Sequence, residues 1–267
     1  MKILENFSQS KYGQADKNED ALVITDDFAA VIDGATDLSG LTVDGMTPGR
    51  YASQTVATGI KALPPEFTAL EAINFLSDHL AKDKRKRTLP KGFRPFCVLA
   101  IYSKNRQEIF RLKDIQVKTN QSTFDDDIPA IQILTLMRQA YLNAVIANSI
   151  PVNDILKNDP YQKILKDICE KNNALLNNDK STFGFGVIDG AMVPEKFIEV
   201  IPVQSGSEIT ITSDGYPVVK DSLANSEAAL KEILQNDPLL IGEYPQPRGI
   251  VPNGISFDDR TWLKIRT

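Results

Sequence analysis

Histidine is almost missing from this chain: His79 is its one example in 267 residues. That excludes histidine-clustered metal sites and Ser-His-Asp triads. His79 itself falls in a helical pattern and reads as a helix-surface residue. Cysteine is nearly as scarce. Cys97 and Cys169 are too few and too isolated for a disulfide framework or a zinc site, and Cys97 lies in an apolar run that reads as core. No apolar run reaches the ~18 residues of a spanning helix. No basic segment followed by an apolar stretch opens the chain. The expectation is a cytoplasmic protein without membrane contact. Basic residues are not in excess either: 30 Lys and Arg stand against 35 Asp and Glu. A phosphate backbone needs a concentrated basic face, so nucleic acid is not the expected partner. The local basic run from Lys82 to Arg87 reads as a solvated loop after a helix. No repeat or linker divides the chain, so residues 1–267 read as a single domain. Enzyme chemistry in such a chain must rest on carboxylates, hydroxyls, Lys and Arg.

The informative stretch is Val31-Ile32-Asp33-Gly34-Ala35-Thr36-Asp37. With Phe28-Ala29-Ala30 before it, it reads as a buried strand that stops at a carboxylate. The glycine permits a sharp turn or a close approach of the backbone to a ligand. Asn18-Glu19-Asp20 precedes the strand Ala21 to Thr25. In a hairpin Glu19 and Asp20 then lie beside Asp33. Three carboxylates together are costly unless something positive stands between them, and a metal ion is the economical answer.

The remaining pattern alternates in period. Thr47 and Pro48 open one amphipathic helix, and Thr68 to Glu71 has the form of a capping box for a second. Phe96 to Tyr102, Glu108 to Leu112 and Ile115 to Lys118 read as strands, and Ile128 to Asn148 and Tyr161 to Leu176 as helices. Phe183 to Ile188 is expected to pair back with Lys196 to Val203 through an Asp189-Gly190 turn. Glu208 to Thr212 ends at Ser213-Asp214-Gly215, a second strand running into Asp-Gly. A helix from Ser226 to Gln235, a Pro/Gly-rich loop from Pro238 to Gly254 and Asp258-Asp259-Arg260-Thr261 lead to a last strand, Trp262 to Arg266.

Asn18-Glu19-Asp20, Val31-Ile32-Asp33-Gly34, Thr212-Ser213-Asp214-Gly215 and Asp258-Asp259-Arg260-Thr261, in this order, resemble the metal-dependent serine/threonine phosphatases of the protein phosphatase 2C family, bacterial type. The four motifs span essentially the whole chain. The resemblance implies an α+β fold: a four-layer α/β/β/α sandwich, two packed antiparallel sheets with helices outside. It implies a phosphoprotein phosphatase that hydrolyses phosphoserine and phosphothreonine with a bridging metal-bound hydroxide, opposing a Ser/Thr kinase. By motif, Asp33 bridges two ions, the Gly34 carbonyl helps bind the second, and Asp214 and Asp258 hold the first. Glu19 and Asp20 act through waters around the second, and catalytic roles fall to Asp33 and Asp20. The oxygen-only donors suit Mn²⁺ or Mg²⁺. Asp114 lies where the family has a Gly-Asp-Ser turn and either approaches a third ion or is a plain hairpin acid. Two departures stand out. Ala15 occupies the place of a phosphate-clamping arginine, with Lys17 and Arg50 as candidate substitutes, and Ala35 stands where eukaryotic members carry a histidine. The first departure also leaves open a pseudophosphatase that acts as a regulatory or binding module. A small-phosphoester hydrolase is a further alternative.

Overall fold

The computed structural model describes residues 1–267 apart from 37, 126 and 127. Asp37, the last residue of the strand-ending stretch, therefore lies outside the described residues. Among the described residues, ten strands form two five-stranded sheets. One sheet contains β2 (Ala21–Ile24), β3 (Phe28–Gly34), β4 (Cys97–Ser103), β5 (Glu108–Arg111) and β8 (Glu199–Pro202), in that order. The other runs β1 (Lys2–Gln9), β10 (Arg260–Arg266), β9 (Glu208–Thr212), β6 (Gln116–Thr119) and β7 (Thr123–Phe124). All neighbours in both sheets are antiparallel.

The sheets pack face to face because their inner faces are apolar. Val31, Ala100, Tyr102 and Ile109 on the inner face of the first sheet share one continuous core with Val117, Ile209, Ile211, Leu263 and Ile265 of the second. Helices α1 (Pro48–Ile60) and α2 (Ala69–Arg85) cover the first sheet through Tyr51, Ala52, Val56, Ile73 and Leu76. Helix α6 (Leu223–Asn236) lies outside the second, where Leu230 joins Tyr216, Phe257 and Trp262. This is the α/β/β/α sandwich of an α+β fold. Helices α3 (Pro129–Ala147), α4 (Val152–Lys157) and α5 (Gln162–Asn172) form a separate unit around Leu134, Leu142, Ile155, Tyr161 and Leu165. Among the described residues no helix is long and apolar enough to cross a membrane.

Both helix starts read from the sequence carry caps. The Thr47 hydroxyl accepts from the Arg50 amide, and Thr68 and Glu71 form a reciprocal capping box. The expected hairpin through Asp189-Gly190 does not form. Glu195–Phe197 is a 3₁₀ turn, and β8 pairs with β5 instead, Ile201 opposite Ile109. The Asn177 side chain accepts from the Val187 amide and donates to its carbonyl, each at 3.0 Å, taking the place of a strand ladder. Gly184 and Gly186 further weaken strand character there. The basic run is a loop only in part: Lys82, Lys84 and Arg85 form the last turn of α2, where cations oppose the negative helix end, and Lys86 and Arg87 follow the helix as expected. The last strand begins two residues earlier than expected, at Arg260.

Candidate metal and phosphate site

The register of the two sheets places the acidic motifs. Ala21 stands opposite Ile32, so Asp20 enters β2 beside the end of β3, where Asp33 sits. Trp262 stands opposite Thr212, which brings Asp214 after β9 and Asp258 before β10 to the same edge. Each Asp-Gly junction is a point of close backbone packing. A Cβ on Gly34 would collide with the carbonyl oxygens of Glu19 and Gly49, and one on Gly215 with that of Asp259. Glycine is needed there because two chain segments touch, independent of any ligand.

A cavity of about 160 Å³ opens at this edge, lined by Asp33, Asp114, Asp214, Asp258, Thr36 and Arg248. Its walls include Phe96, Val98, Ile131 and Leu176. A second cavity of about 380 Å³ adds Lys11 and the inner faces of α3–α5. Asp33 and Asp214 face one another across this cavity. Burial pushes the Asp33 carboxyl well above the usual range, and repulsion from Asp20, Asp258 and Asp114 acts the same way. Burial likewise raises Asp214, reinforced by Asp33, Asp258 and Asp114. Asp114 holds φ at +81°, a left-handed conformation aspartate tolerates, and belongs to this repelling group.

Asp20 is differently placed. Its Oδ2 accepts from Ser213 Oγ at 2.7 Å and Thr261 Oγ1 at 2.8 Å, and the residue is buried. Asp259 is a strut: one carboxylate oxygen accepts from the Lys11 amide at 2.7 Å, the other from the Glu19 amide at 2.8 Å.

The other half of the edge is already balanced. Lys11 Nζ donates to Glu19 Oε2 and Asp258 Oδ1, each at 3.0 Å, and to Thr36 Oγ1 at 2.8 Å. Arg248 Nη1 donates to Thr36 Oγ1 at 2.6 Å and lies 3.4 Å from Asp258 Oδ2. Glu19 Oε1 accepts from the Thr47 hydroxyl at 2.6 Å. Burial acts to raise the Asp258 carboxyl, but Arg248 and Lys11 outweigh it and hold it below the usual range. Burial likewise opposes the charge on Lys11, yet Asp258, Glu19 and Asp259 keep its ammonium firmly protonated.

The two residues expected to substitute for a clamping arginine are otherwise engaged. Arg50 Nη1 donates to the carbonyls of Ala15 at 3.0 Å and Asn18 at 2.6 Å, so it ties down the Asn-Glu-Asp loop. Lys17 lies over the Tyr12 ring. The sequence motifs did not reveal Lys11, Thr36 or Arg248 as site residues. Arg248 lies in a Pro/Gly-rich loop with no local signal, and Lys11 comes from a polar loop eight residues before Glu19.

No protein-family model matches the sequence, and no curated protein matches it. Solved structures do. The Mycobacterium tuberculosis serine/threonine phosphatase PstP/Ppp is 14% identical, with 98% of this chain and 97% of that chain covered at a TM-score of 0.50. The fold is that of the bacterial protein phosphatase 2C-type enzymes. The same comparison gives Stp1 from Staphylococcus aureus, at 15% identity, 100% and 97% coverage and a TM-score of 0.48. It also gives the PstP catalytic domain in complex with two manganese ions, at 13% identity, 99% and 98% coverage and a TM-score of 0.48.

The protein phosphatase 2C resemblance implies a pair of divalent ions, and this chain fits that pair only in part. Asp33, Asp214 and Asp114 offer hard oxygen donors that repel one another, the right chemistry for one Mn²⁺ or Mg²⁺. Glu19 and Asp258, on the other side, are bonded to a lysine. Among the described residues, no three acidic side chains are placed to hold one ion as they stand.

Proposed function

We propose that this chain is a divalent-metal-dependent phosphomonoester hydrolase that acts on phosphorylated serine and threonine side chains of proteins, opposing a Ser/Thr kinase. The observation that carries the reading is the set of mutually repelling carboxylates around Asp33, facing a cavity at the edge of this sandwich. Asp33 and Asp214 would hold a Mn²⁺ or Mg²⁺ ion, with Asp114 facing it. Such an ion, when bound, neutralises the carboxylates, draws charge from phosphoryl oxygens and lowers the pKa of water. The chain's own residues bind and position the ester. Arg248 reaches the same cavity with a planar set of donors suited to phosphate. Thr36 holds that guanidinium in place. Asp20, fixed by Ser213 and Thr261, and Asp259, fixing Lys11 and Glu19, set the spacing of the strand ends. The apolar walls limit water around the reacting group.

Hydrolysis of an aryl phosphate and of a phosphothreonine peptide, with Mn²⁺ or Mg²⁺ added and then chelated, tests this. Turnover that appears with metal and disappears with chelator is expected. Full activity in excess chelator would overturn the reading. One observation favours a second reading, a regulatory module that binds phosphoproteins without turnover: the Lys11 ammonium occupies the midst of the Glu19 and Asp258 carboxylates. Binding of the phosphopeptide without turnover under either metal selects that reading.

A further inference from the structure

Lys11 is a deeply buried cation at this edge, with only 4% of its side chain exposed. Its ammonium has three donors, and each is used: Glu19 at 3.0 Å, Asp258 at 3.0 Å and Thr36 at 2.8 Å. Asp259 stands 3.8 Å away as a further counter-charge, and its carboxylate also fixes the Lys11 amide. Arg248 takes the other oxygen of Asp258 and the same Thr36 hydroxyl. Two cations thus serve three acids, Glu19, Asp258 and Asp259, in one cluster of hydrogen bonds and ion pairs.

A divalent ion entering this half would have to displace a lysine that cannot leave without exposing Glu19 and Asp258. It would also meet the field of Arg248. Among the described residues no cation is bonded to Asp33 or Asp214, and their mutual repulsion invites an ion. The asymmetry is geometric: Glu19 and Asp258 hold their cations in direct contact, whereas Arg248 acts on Asp214 only across the cavity.

We propose that Lys11, braced by Arg248, is a built-in replacement for one of two metal ions, so that the Glu19–Asp258 half of the site excludes a divalent cation. The inference builds on the reading of the Asp33–Asp214 half as a cation site, but its test separates the two. The neutral side chain of Lys11→Met would free Glu19 and Asp258 to act as ligands. Lys11→Arg keeps the charge and serves as control.

The experiment is the count of Mn²⁺ ions bound, by calorimetry and by loss of the free-Mn²⁺ resonance signal, on the full chain without substrate. Wild type and Lys11→Arg are expected to take up one ion, and Lys11→Met two. Two ions in wild type would overturn the inference, as would equal counts in wild type and Lys11→Met. No ion in wild type but one in Lys11→Met would uphold it while removing the metal-dependent reading of Asp33. No ion in either would end both. Should Lys11→Met fail to fold, Lys11→Gln is the same neutral test with a hydrogen bond to Thr36 retained. Glu19→Gln in wild type adds a further check. Glu19 is bonded to lysine and not reserved for metal, so the wild-type count and affinity should persist, and a tenfold or greater loss of Mn²⁺ affinity would overturn the inference.

Discussion

Lys11 Nζ lies 3.0 Å from Asp258 Oδ1, across 247 residues of chain. The pair joins the loop after β1 to the loop before β10, and it is inaccessible to solvent on the lysine side. A buried ion pair contributes little net stability against an apolar substitute, but removing one partner leaves the other charge stranded. Here the stranded groups would be Glu19 and Asp258. Lys11→Ala is therefore expected to lose about 3–5 kcal/mol of unfolding free energy in the presence of chelator. Urea titration checks this. Added Mn²⁺ should restore part of the loss to the variant, because an ion can then bind the freed carboxylates of the native state. A loss below ~1 kcal/mol would show that the lysine is not held as described.

Asp33 gives the opposite sign. Burial disfavours its charge, and its neighbours Asp20, Asp258 and Asp114 repel it. A neutral isostere relieves that repulsion. Asp33→Asn is expected to raise the thermal midpoint in chelator while abolishing metal-dependent hydrolysis, the trade expected of a site that needs destabilising charges. Differential scanning calorimetry beside a phosphatase assay reads both. A lower midpoint in chelator would mean that Asp33 is primarily structural.

The architecture was legible because its signals are local. Thr47-Pro48 and Thr68 to Glu71 are capping patterns, and both helices begin there. The runs ending in Asp33 and Asp214 are apolar enough to be buried strands, and both are. The 183–203 region misled because β-rich composition does not choose a partner. Asn177 satisfied Val187 by side chain, which no periodicity shows. The acidic members of the edge were visible as motifs, whereas its cations were not. Lys11 and Arg248 reach the acids from loops, and a loop lysine carries no mark of burial in its sequence. The glycines of the Asp-Gly junctions were legible as special, but their reason is collision between backbones, visible only after folding.

Away from the edge, Glu227 on α6 binds Arg260 at 2.7 Å and the Tyr216 hydroxyl at 2.6 Å. Burial acts to raise its carboxyl, but the Arg260 and Tyr216 hydrogen bonds outweigh it and hold the carboxyl below its ordinary value. A depressed carboxyl contributes stability that is present above its unfolded value, near 4.5, and is lost as pH falls through the lower folded value. Stability curves from pH 7 down to pH 3 should therefore fall more steeply for wild type than for Glu227→Gln. At pH 7 the variant should be weaker by about 1.5–3 kcal/mol, the range for hydrogen bonds to a charged group. Parallel curves for the two proteins would contradict this assignment.

The last prediction separates three basic residues that could meet a phosphate. Arg50 spends its Nη1 on the carbonyls of Ala15 and Asn18, and Lys17 lies over Tyr12. Arg248 lines the cavity that Asp33 and Asp214 share. A guanidinium–phosphate contact is worth roughly 1.5–3 kcal/mol, and about 1.4 kcal/mol corresponds to tenfold in affinity. If Arg248 makes that contact, Arg248→Met should raise KM for an aryl phosphate about tenfold or more. Arg248→Lys should recover only part of this, because an ammonium cannot reproduce the planar fork. Arg50→Met should act through the loop instead, lowering thermal stability with KM nearly unchanged, and Lys17→Met should alter neither. Loss of Arg248 also frees Asp258 and Thr36, so a fall in kcat without a rise in KM would assign it to holding Asp258 rather than to the phosphate. A KM that responds to Arg50 or Lys17 and not to Arg248 would move the phosphate to the loop around Ala15. In that case Ala15→Arg should lower KM about tenfold, as an added clamp would.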